Sequence, residues 1–383
     1  MNPFTFESPT RMFFGEGQIK NLANEIPLDK KVLVTYGGGS IKKNGVYDQV
    51  KDALKNHNWD EFHGIKSNPQ YDILMEAVAK IKAEGFDYLL AVGGGSVIDG
   101  TKFISAAAKW KGGDPWDILT DQAPISETLP IGVVLTIPAT GSETNVLAVI
   151  SRGKDKLCLA SPLVRPKFAI MDPKVSLSLS PRQVANGVVD AFVHVMEQYM
   201  TYPVGGKVQD RFSEGVLSTL VEEGPKALAH PEDMDVRNNI MLAASWALNG
   251  LLATGVPQDW STHWIGHEIT GIYGIDHGRS LTIVFPALLQ YCRKDKGDKI
   301  AQFGERVFGI TSGSKDERID ATIAKTIEFF KSMGVPTHLS DVQLNESHID
   351  EVVQYLAKHK MTHMGEHEKL GPEDAREILK LAL

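Results

Sequence analysis

Three short runs in the first half of the chain are apolar almost throughout: KVLVTY at 31–36, DYLLAV at 87–92 and IGVVLTIP at 131–138. Runs of that length without polar alternation suit strands covered on both faces of a sheet. Between the first two, Leu74, Val78 and Ile81 recur at helical spacing. The alternation of strand and helix predicts a mostly parallel, Rossmann-like α/β sheet, in which ligands gather at the carboxyl ends of the strands. Arg11-Met12-Phe13-Phe14 predicts one further short strand, at a sheet edge where a second copy of the chain can pair, so a homodimer is expected.

Beyond Pro173 the strand pattern gives way to long helical periodicities. Ser180-Pro181-Arg182-Gln183 reads as an N-cap, a proline in the first turn and a capping-box partner, which starts a helix near 181. Segments at 241–253 and 319–334 continue the helical pattern. The expected architecture is an α/β dinucleotide-binding domain over 1–178 followed by an all-α domain for metal and substrate over 179–383.

Composition narrows the function. Forty-eight acidic residues against 40 lysines and arginines give a formal charge of −8, which disfavours nucleic acid as a partner. No basic segment precedes an apolar run at the start, and no apolar stretch approaches the length of a membrane span, so a cytoplasmic protein with no membrane partner is expected. With only Cys158 and Cys292, a disulfide framework and a cysteine metal site are both excluded. Any metal must be held by His and carboxylates.

Glycine clusters follow the first two predicted strands: Gly37-Gly38-Gly39-Ser40, and Gly93-Gly94-Gly95-Ser96. Glycine lets backbone approach a phosphate closely, and amides at the start of the next helix offer donors to a pyrophosphate. Either cluster alone is equally well read as a tight turn; their recurrence at two strand ends favours a nucleotide. Ser96 and Asp99 read as a capping box for the second helix. A third loop, from Thr136 through Thr140 to Asn145, adds hydroxyl and amide donors at another strand end.

In the second half, the helix from 181 is apolar around most of its circumference, and Asp190 and His194 lie four residues apart on one seam of it. His263 and His267 share one face of a second helix, and Asp276-His277 follows after Gly271 and Gly274. Any one of these histidines, alone, reads as a satisfied core residue. Together Asp190, His194, His263 and His277 supply one carboxylate and three imidazoles, leaving a coordination position for a substrate oxygen or water. Trp264 rather than Glu follows His263, so this is not the His-Glu-x-x-His of zinc hydrolases. A rival set, His359, His363 and His367, sits among lysines and glutamates and reads as a solvated, irregular segment.

At these residues the sequence resembles the iron-containing (type III) alcohol dehydrogenases over essentially its whole length. The resemblance is carried by Gly93-Gly-Gly-Ser-Val-Ile-Asp99, Pro138-Ala-Thr-Gly-Ser-Glu143, Asn186-Gly-Val-Val-Asp190-Ala-Phe-Val-His194 and the His263, His267 and His277 positions. Tyr36-Gly-Gly-Gly-Ser40 and Val256-Pro-Gln-Asp-Trp260 look closest to the butanol dehydrogenase and NADPH-dependent aldehyde reductase branch. The resemblance implies a dinucleotide domain, a helical metal domain and an active site in the cleft between them. It matches Asp190, His194, His263 and His277 to the ligands of one iron or zinc ion. It matches Gly95, Ser96, Thr136, Thr140, Asn145 and Lys156 to cofactor contacts, and His267 to a position beside the nicotinamide and substrate.

The reaction these readings predict is hydride transfer between NAD(P)(H) and a small aliphatic alcohol or aldehyde, with His267 as the proton relay. NADP(H) is expected over NAD(H), because no acidic residue ends the first strand to hold a ribose 2′-hydroxyl, while Lys42 and Lys43 lie just beyond Ser40. Two alternatives remain at this stage. A dehydroquinate synthase-like lyase needs clustered Lys and Arg where the sequence offers Trp260, Trp264, Ile265 and Phe192. A noncatalytic nucleotide-binding protein needs a closed metal shell.

Overall fold

A computed structural model describes residues 1–383. The chain packs into two compact units, Glu7–Leu179 and Ser180–Leu383, and the second also takes in Met1–Phe6. The first six residues thus depart from the 1–178 grouping expected of them. Their anchor is a backbone hydrogen bond from Asn2 to the carbonyl of Gly255, at 2.9 Å.

The α/β unit contains strands β1 (Arg11–Phe14), β2 (Lys31–Tyr36), β3 (Asn58–Phe62), β4 (Tyr88–Gly94), β5 (Ile131–Ile137), β6 (Leu147–Arg152), β7 (Asp155–Ala160) and β8 (Phe168–Met171). Six form one sheet in the order β1-β8-β5-β4-β2-β3, all parallel, while β6 and β7 pair as an antiparallel hairpin. The three runs read from the sequence are β2, β4 and β5, the central strands, and they are almost wholly buried. Alternate residues Val32, Val34 and Tyr36 of β2 and Tyr88, Leu90 and Val92 of β4 share one core with Val46 and Val50 of the helix Val46–Ala53. After β3 the chain returns across β2 to form β4 on its other side. The carboxyl ends of β2 and β4 therefore flank a topological switch point, the place where open parallel sheets bind ligands.

The second unit is helical and has no strands. Its helices are Pro181–Tyr199, Lys207–Ala229, Met234–Ala247, Ser261–Tyr273, His277–Tyr291, Arg293–Phe308, Lys315–Ser332, Ile349–Lys358 and Pro372–Leu381. The capping box at its start forms as expected: the Gln183 amide donates to Ser180 Oγ at 3.3 Å, and the Ser180 amide to Gln183 Oε1 at 3.0 Å. The helix expected over 241–253 ends instead at Ala247. Gly250 and Gly255 take left-handed φ values of 93° and 68° beyond it, so the apolar run continues as turns. No helix is long and apolar enough to cross a membrane.

Candidate functional site

In the α/β unit the candidate site is built from backbone and from lack of volume. β4 runs through Gly93 and Gly94, and the helix Gly95–Lys109 starts immediately. A Cβ on Gly94 would meet Ile137 at 2.8 Å and one on Gly95 would meet Thr140 at 2.6 Å, so loops from adjacent strands touch only because these residues are glycines. Gly37 likewise lies 3.0 Å, by its missing Cβ, from the carbonyl of Ile65, and Gly39 has φ of 89° leading into the turn at Ser40. Residues 37–40, 94–96 and 136–145 lie at or just beyond the carboxyl ends of neighbouring strands β2, β4 and β5 and so share one end of the sheet.

The expected capping box of Ser96 and Asp99 does not form; Gly94 is the N-cap and no side chain caps the helix. Asp99 reaches sideways, accepting from Ser142 Oγ at 2.6 Å and from the Val149 amide at 3.0 Å. Burial pushes its carboxyl up despite those bonds. One turn on, Lys102 donates to the Asn145 carbonyl, Asn145 Oδ1 and the Leu147 carbonyl, and burial pulls its ammonium down to about 8. Asn145 also donates to Thr140 O, and Thr140 Oγ1 accepts from the Ser142 amide. This network fixes the 136–149 loop against the helix. Lys156, on β7, donates to Asn68 Oδ1 at 2.7 Å. Thr136 lies near the end of β5 and is buried. Lys42 is not a free cation: Glu61 of β3 pairs with it at 3.2 Å, and its ammonium sits 4.5 Å from the Tyr47 ring centre.

In the helical unit the site is built from side chains. Asp190 and His194 project from the buried helix Pro181–Tyr199, His263 from the first turn of Ser261–Tyr273, and His277 is the first residue of His277–Tyr291. One ligand atom from each lies within 4.8 Å of all the others. Tetrahedral donors on bonds of about 2.0–2.2 Å lie roughly 3.3–3.6 Å apart, so the widest pairs of the set must draw together by up to about 1 Å on binding an ion. Asp190 Oδ1 is 3.5 Å from His277 Nε2 and 3.8 Å from His194 Nε2. The His194 and His263 rings stack at 4.6 Å. Burial, reinforced by His263, holds His194 well below the usual imidazole range, which is the neutral form a metal needs. His194 Nδ1 is buried without a hydrogen-bond partner. These donors fit a divalent cation.

Glu197, which the sequence reading overlooked, orients one member of the set. Its Oε1 accepts from the His263 amide at 2.9 Å and lies 3.1 Å from His263 Nδ1, leaving Nε2 for coordination. Burial and Asp259 raise the Glu197 carboxyl, against the hydrogen bonds from His263 and Trp260. A charge in the otherwise apolar last turns of that helix was the available signal. His267 is buried beside the set, its ring 5.0 Å from His277 and 6.2 Å from His263, and outside the four-residue group. Trp260 lies against His263 and His194, and Trp264 against His267. Phe192 and Ile265, expected near the metal, point into the core instead: Phe192 packs on Phe285, Phe303, Phe329 and Phe330, and Ile265 joins the cluster around Val352 and Leu356.

The rival histidines do not converge. His359 bonds to Glu268 Oε1 at 2.7 Å, His363 to the carbonyl of Glu368, and His367 stacks on Tyr202. His359 is nearly buried by that pairing, so its segment is less solvated than the charge pattern suggests.

A switch-point glycine edge in one unit and an Asp-His₃ set in the other define a metal-dependent, nicotinamide-linked oxidoreductase. The chain belongs to the iron-containing alcohol dehydrogenase family: the model for iron-containing alcohol dehydrogenase matches residues 9–173, and that for the C-terminal part of the Fe-containing alcohol dehydrogenase family matches 184–383. It is 54% identical to the NADPH-dependent aldehyde reductase YqhD of Escherichia coli over the full length of both chains. The substrate- and cofactor-free form of that reductase superposes with a TM-score of 0.93 at 52% identity, covering 100% of each chain. The NADH-dependent butanol dehydrogenase A of Thermotoga maritima superposes with a TM-score of 0.95 at 38% identity, covering 100% of this chain and 99% of that one.

Proposed function

We propose that the protein reduces small aliphatic aldehydes with NADPH, and oxidises the matching alcohols in reverse, using one iron or zinc ion held by Asp190, His194, His263 and His277. The observation that carries this reading is the convergence of those four donors, three buried and His277 part-buried, in a chain 54% identical to an NADPH-dependent aldehyde reductase. The domain roles follow: the α/β unit Glu7–Leu179 for the dinucleotide and the helical unit Ser180–Leu383 for metal and substrate.

Bound by this set, a divalent ion supplies Lewis acidity toward the substrate oxygen. The nicotinamide supplies the reducing equivalents. Gly37, Gly38, Gly39, Ser40, Gly94, Gly95 and Ser96 give the pyrophosphate and ribose close backbone and a hydroxyl, Thr136 and Thr140 line the same strand ends, and Lys156 reaches toward the cofactor from the β6–β7 hairpin. Asp99 and Asn145 act by holding that loop in shape. Glu197 orients the His263 ring, and Trp260 shields the His194 and His263 rings from water. His267 moves the proton to or from the substrate oxygen.

NADP(H) is favoured by the similarity to the YqhD reductase and by the absence of an acid at the end of β2 itself; the Lys42–Glu61 pair weakens the argument from Lys42 alone. The open edge of β1 supports a homodimer, and the two free cysteines support a reducing, cytoplasmic setting. The test is steady-state turnover of butanal by Fe(II)- or Zn(II)-loaded protein with NADPH and with NADH. NADPH-dependent reduction is expected, and a tenfold NADH preference in kcat/KM overturns the cofactor assignment. A series of two- to eight-carbon aldehydes locates the preferred chain length. Light scattering that shows only a 42.0 kDa species removes the dimer.

A further inference from the structure

Behind the metal set lies a charge cluster that hydride transfer does not use. The Lys296 ammonium, on the helix Arg293–Phe308, contacts Asp259 Oδ2 at 2.7 Å, both Glu366 oxygens at 2.6 Å and the Met200 carbonyl at 2.7 Å. The three charged side chains are only 2–6% exposed. Burial lowers the Lys296 pKa, but Asp259 and Glu366 outweigh it and the net shift is upward, so the ammonium stays charged. Buried ion clusters are poor sources of stability, since well-packed apolar residues usually serve as well or better. Their geometry is the more informative property.

Asp259 brackets a strained residue. Its amide donates to the Glu197 carbonyl at 2.8 Å, and its Oδ1 accepts from the Ser261 amide at 2.8 Å. Between these two anchors Trp260 takes φ of 66°, the left-handed region that a bulky side chain avoids unless its surroundings impose it. The turn sets the indole against the His263 ring at 5.2 Å and starts the helix that carries His263. Glu197 therefore receives both the backbone of this turn and the His263 ring. Glu366 fastens the segment around Gly365 to the same ammonium.

We propose that Lys296 is a positioning residue for the metal centre: by holding Asp259 it locks the left-handed turn at Trp260 and so fixes the approach of His263 to the other three donors. The inference rests on the metal reading of Asp190, His194, His263 and His277. It assigns to Lys296, Asp259 and Glu366 control of coordination geometry rather than contact with the ion.

The experiment compares full-length wild type, Lys296→Met and Lys296→Met/Glu366→Gln. The double variant keeps the cluster's formal charge at the wild-type value, which separates lost tethering from an added buried charge, and it stands in for the single variant if that one does not fold. Zn(II) affinity is read by chelator competition, coordination by the visible absorption of the Co(II) form, and folding by thermal melting. Loss of about 10- to 100-fold in Zn(II) affinity with an altered Co(II) spectrum, in protein that still melts cooperatively, is expected of an outer-shell partner. A lower melting temperature with wild-type affinity and spectrum makes Lys296 purely structural and overturns the proposal. So does failure of both variants to fold. Wild type that binds neither ion overturns the metal reading itself, and this inference with it.

Discussion

The two units solve the same problem, placing polar chemistry where water is scarce, by opposite means. At the sheet's carboxyl end the proposed working parts are backbone amides, and what shapes that end is the absence of side chains at Gly94 and Gly95. In the helical unit the backbone is hidden inside helices and the working parts are Asp190, His194, His263 and His277. A site made of backbone tolerates little added volume; a site made of side chains tolerates little removed chemistry. Each therefore fails in its own way, and substitutions can tell the two apart.

The largest effect is expected from His194→Ala or Asp190→Ala. Either should empty the metal set and lower kcat/KM by about 10³-fold or more, while NADPH binding, followed by fluorescence titration, stays near wild type. A parallel loss of NADPH affinity breaks the proposed independence of the two sites. Next comes His267→Ala, which should retain metal by atomic absorption and lower kcat by about 10²-fold with an altered pH profile. Metal loss in this variant makes His267 a ligand, and an unchanged profile leaves it a pocket wall.

A smaller effect is expected from Gly95→Ala. The added methyl must displace Thr140, an overpacking cost of about 1–3 kcal/mol that reads as roughly tenfold weaker NADPH binding with full metal content. Wild-type cofactor affinity in Gly95→Ala removes this glycine from the cofactor site.

The smallest effect separates the units by pH, through one buried lysine in each, Lys102 and Lys296. Lys102 is held down to about 8, so the unfolded chain binds more protons above that pH; its contribution is lost as pH falls through 8 and fully present above its unfolded value of 10.5. Lys296 is raised, so its contribution is present below 10.5 and lost as pH rises through its folded value. Between pH 8 and 10.5, the stability of wild type relative to Lys102→Met should rise by about 1–3 kcal/mol in urea titrations. Relative to Lys296→Met it should fall as the pH climbs past 10.5. Equal slopes for the two comparisons contradict the contrast.

What the sequence made legible follows the range of the forces involved. β2, β4 and β5 are central strands, so burial on both faces wrote itself into continuous apolar runs. The edge strand β3, NWDEF, carries no such signal, and β8, FAIM, is apolar throughout but only four residues long. The Ser180 capping box and the four-residue spacing of Asp190 and His194 are local and were read correctly as local facts. Asp99 was misread because its partners, Ser142 and Val149, are 43 and 50 residues away. Glu197 and Lys296 escaped notice for the same reason: a buried charge announces itself in a sequence only as an odd residue in an apolar stretch, and its partner is supplied by the fold.

The place of β8 in the sheet has a consequence for how the protein is made. β8 inserts between β5 and β1, and Arg11 finds its neighbour only at Phe168. At typical synthesis rates of 5–20 residues per second, about 150 residues take roughly 10–30 s to emerge. Through that interval Met12 and Phe13 have no strand to pair with, although β2 and β3 can already associate. Helices of the second unit mature through nearer neighbours, but parallel pairing across such a separation is slow. β1 thus waits unpaired for longer than any other strand of the sheet, until β8 has been made.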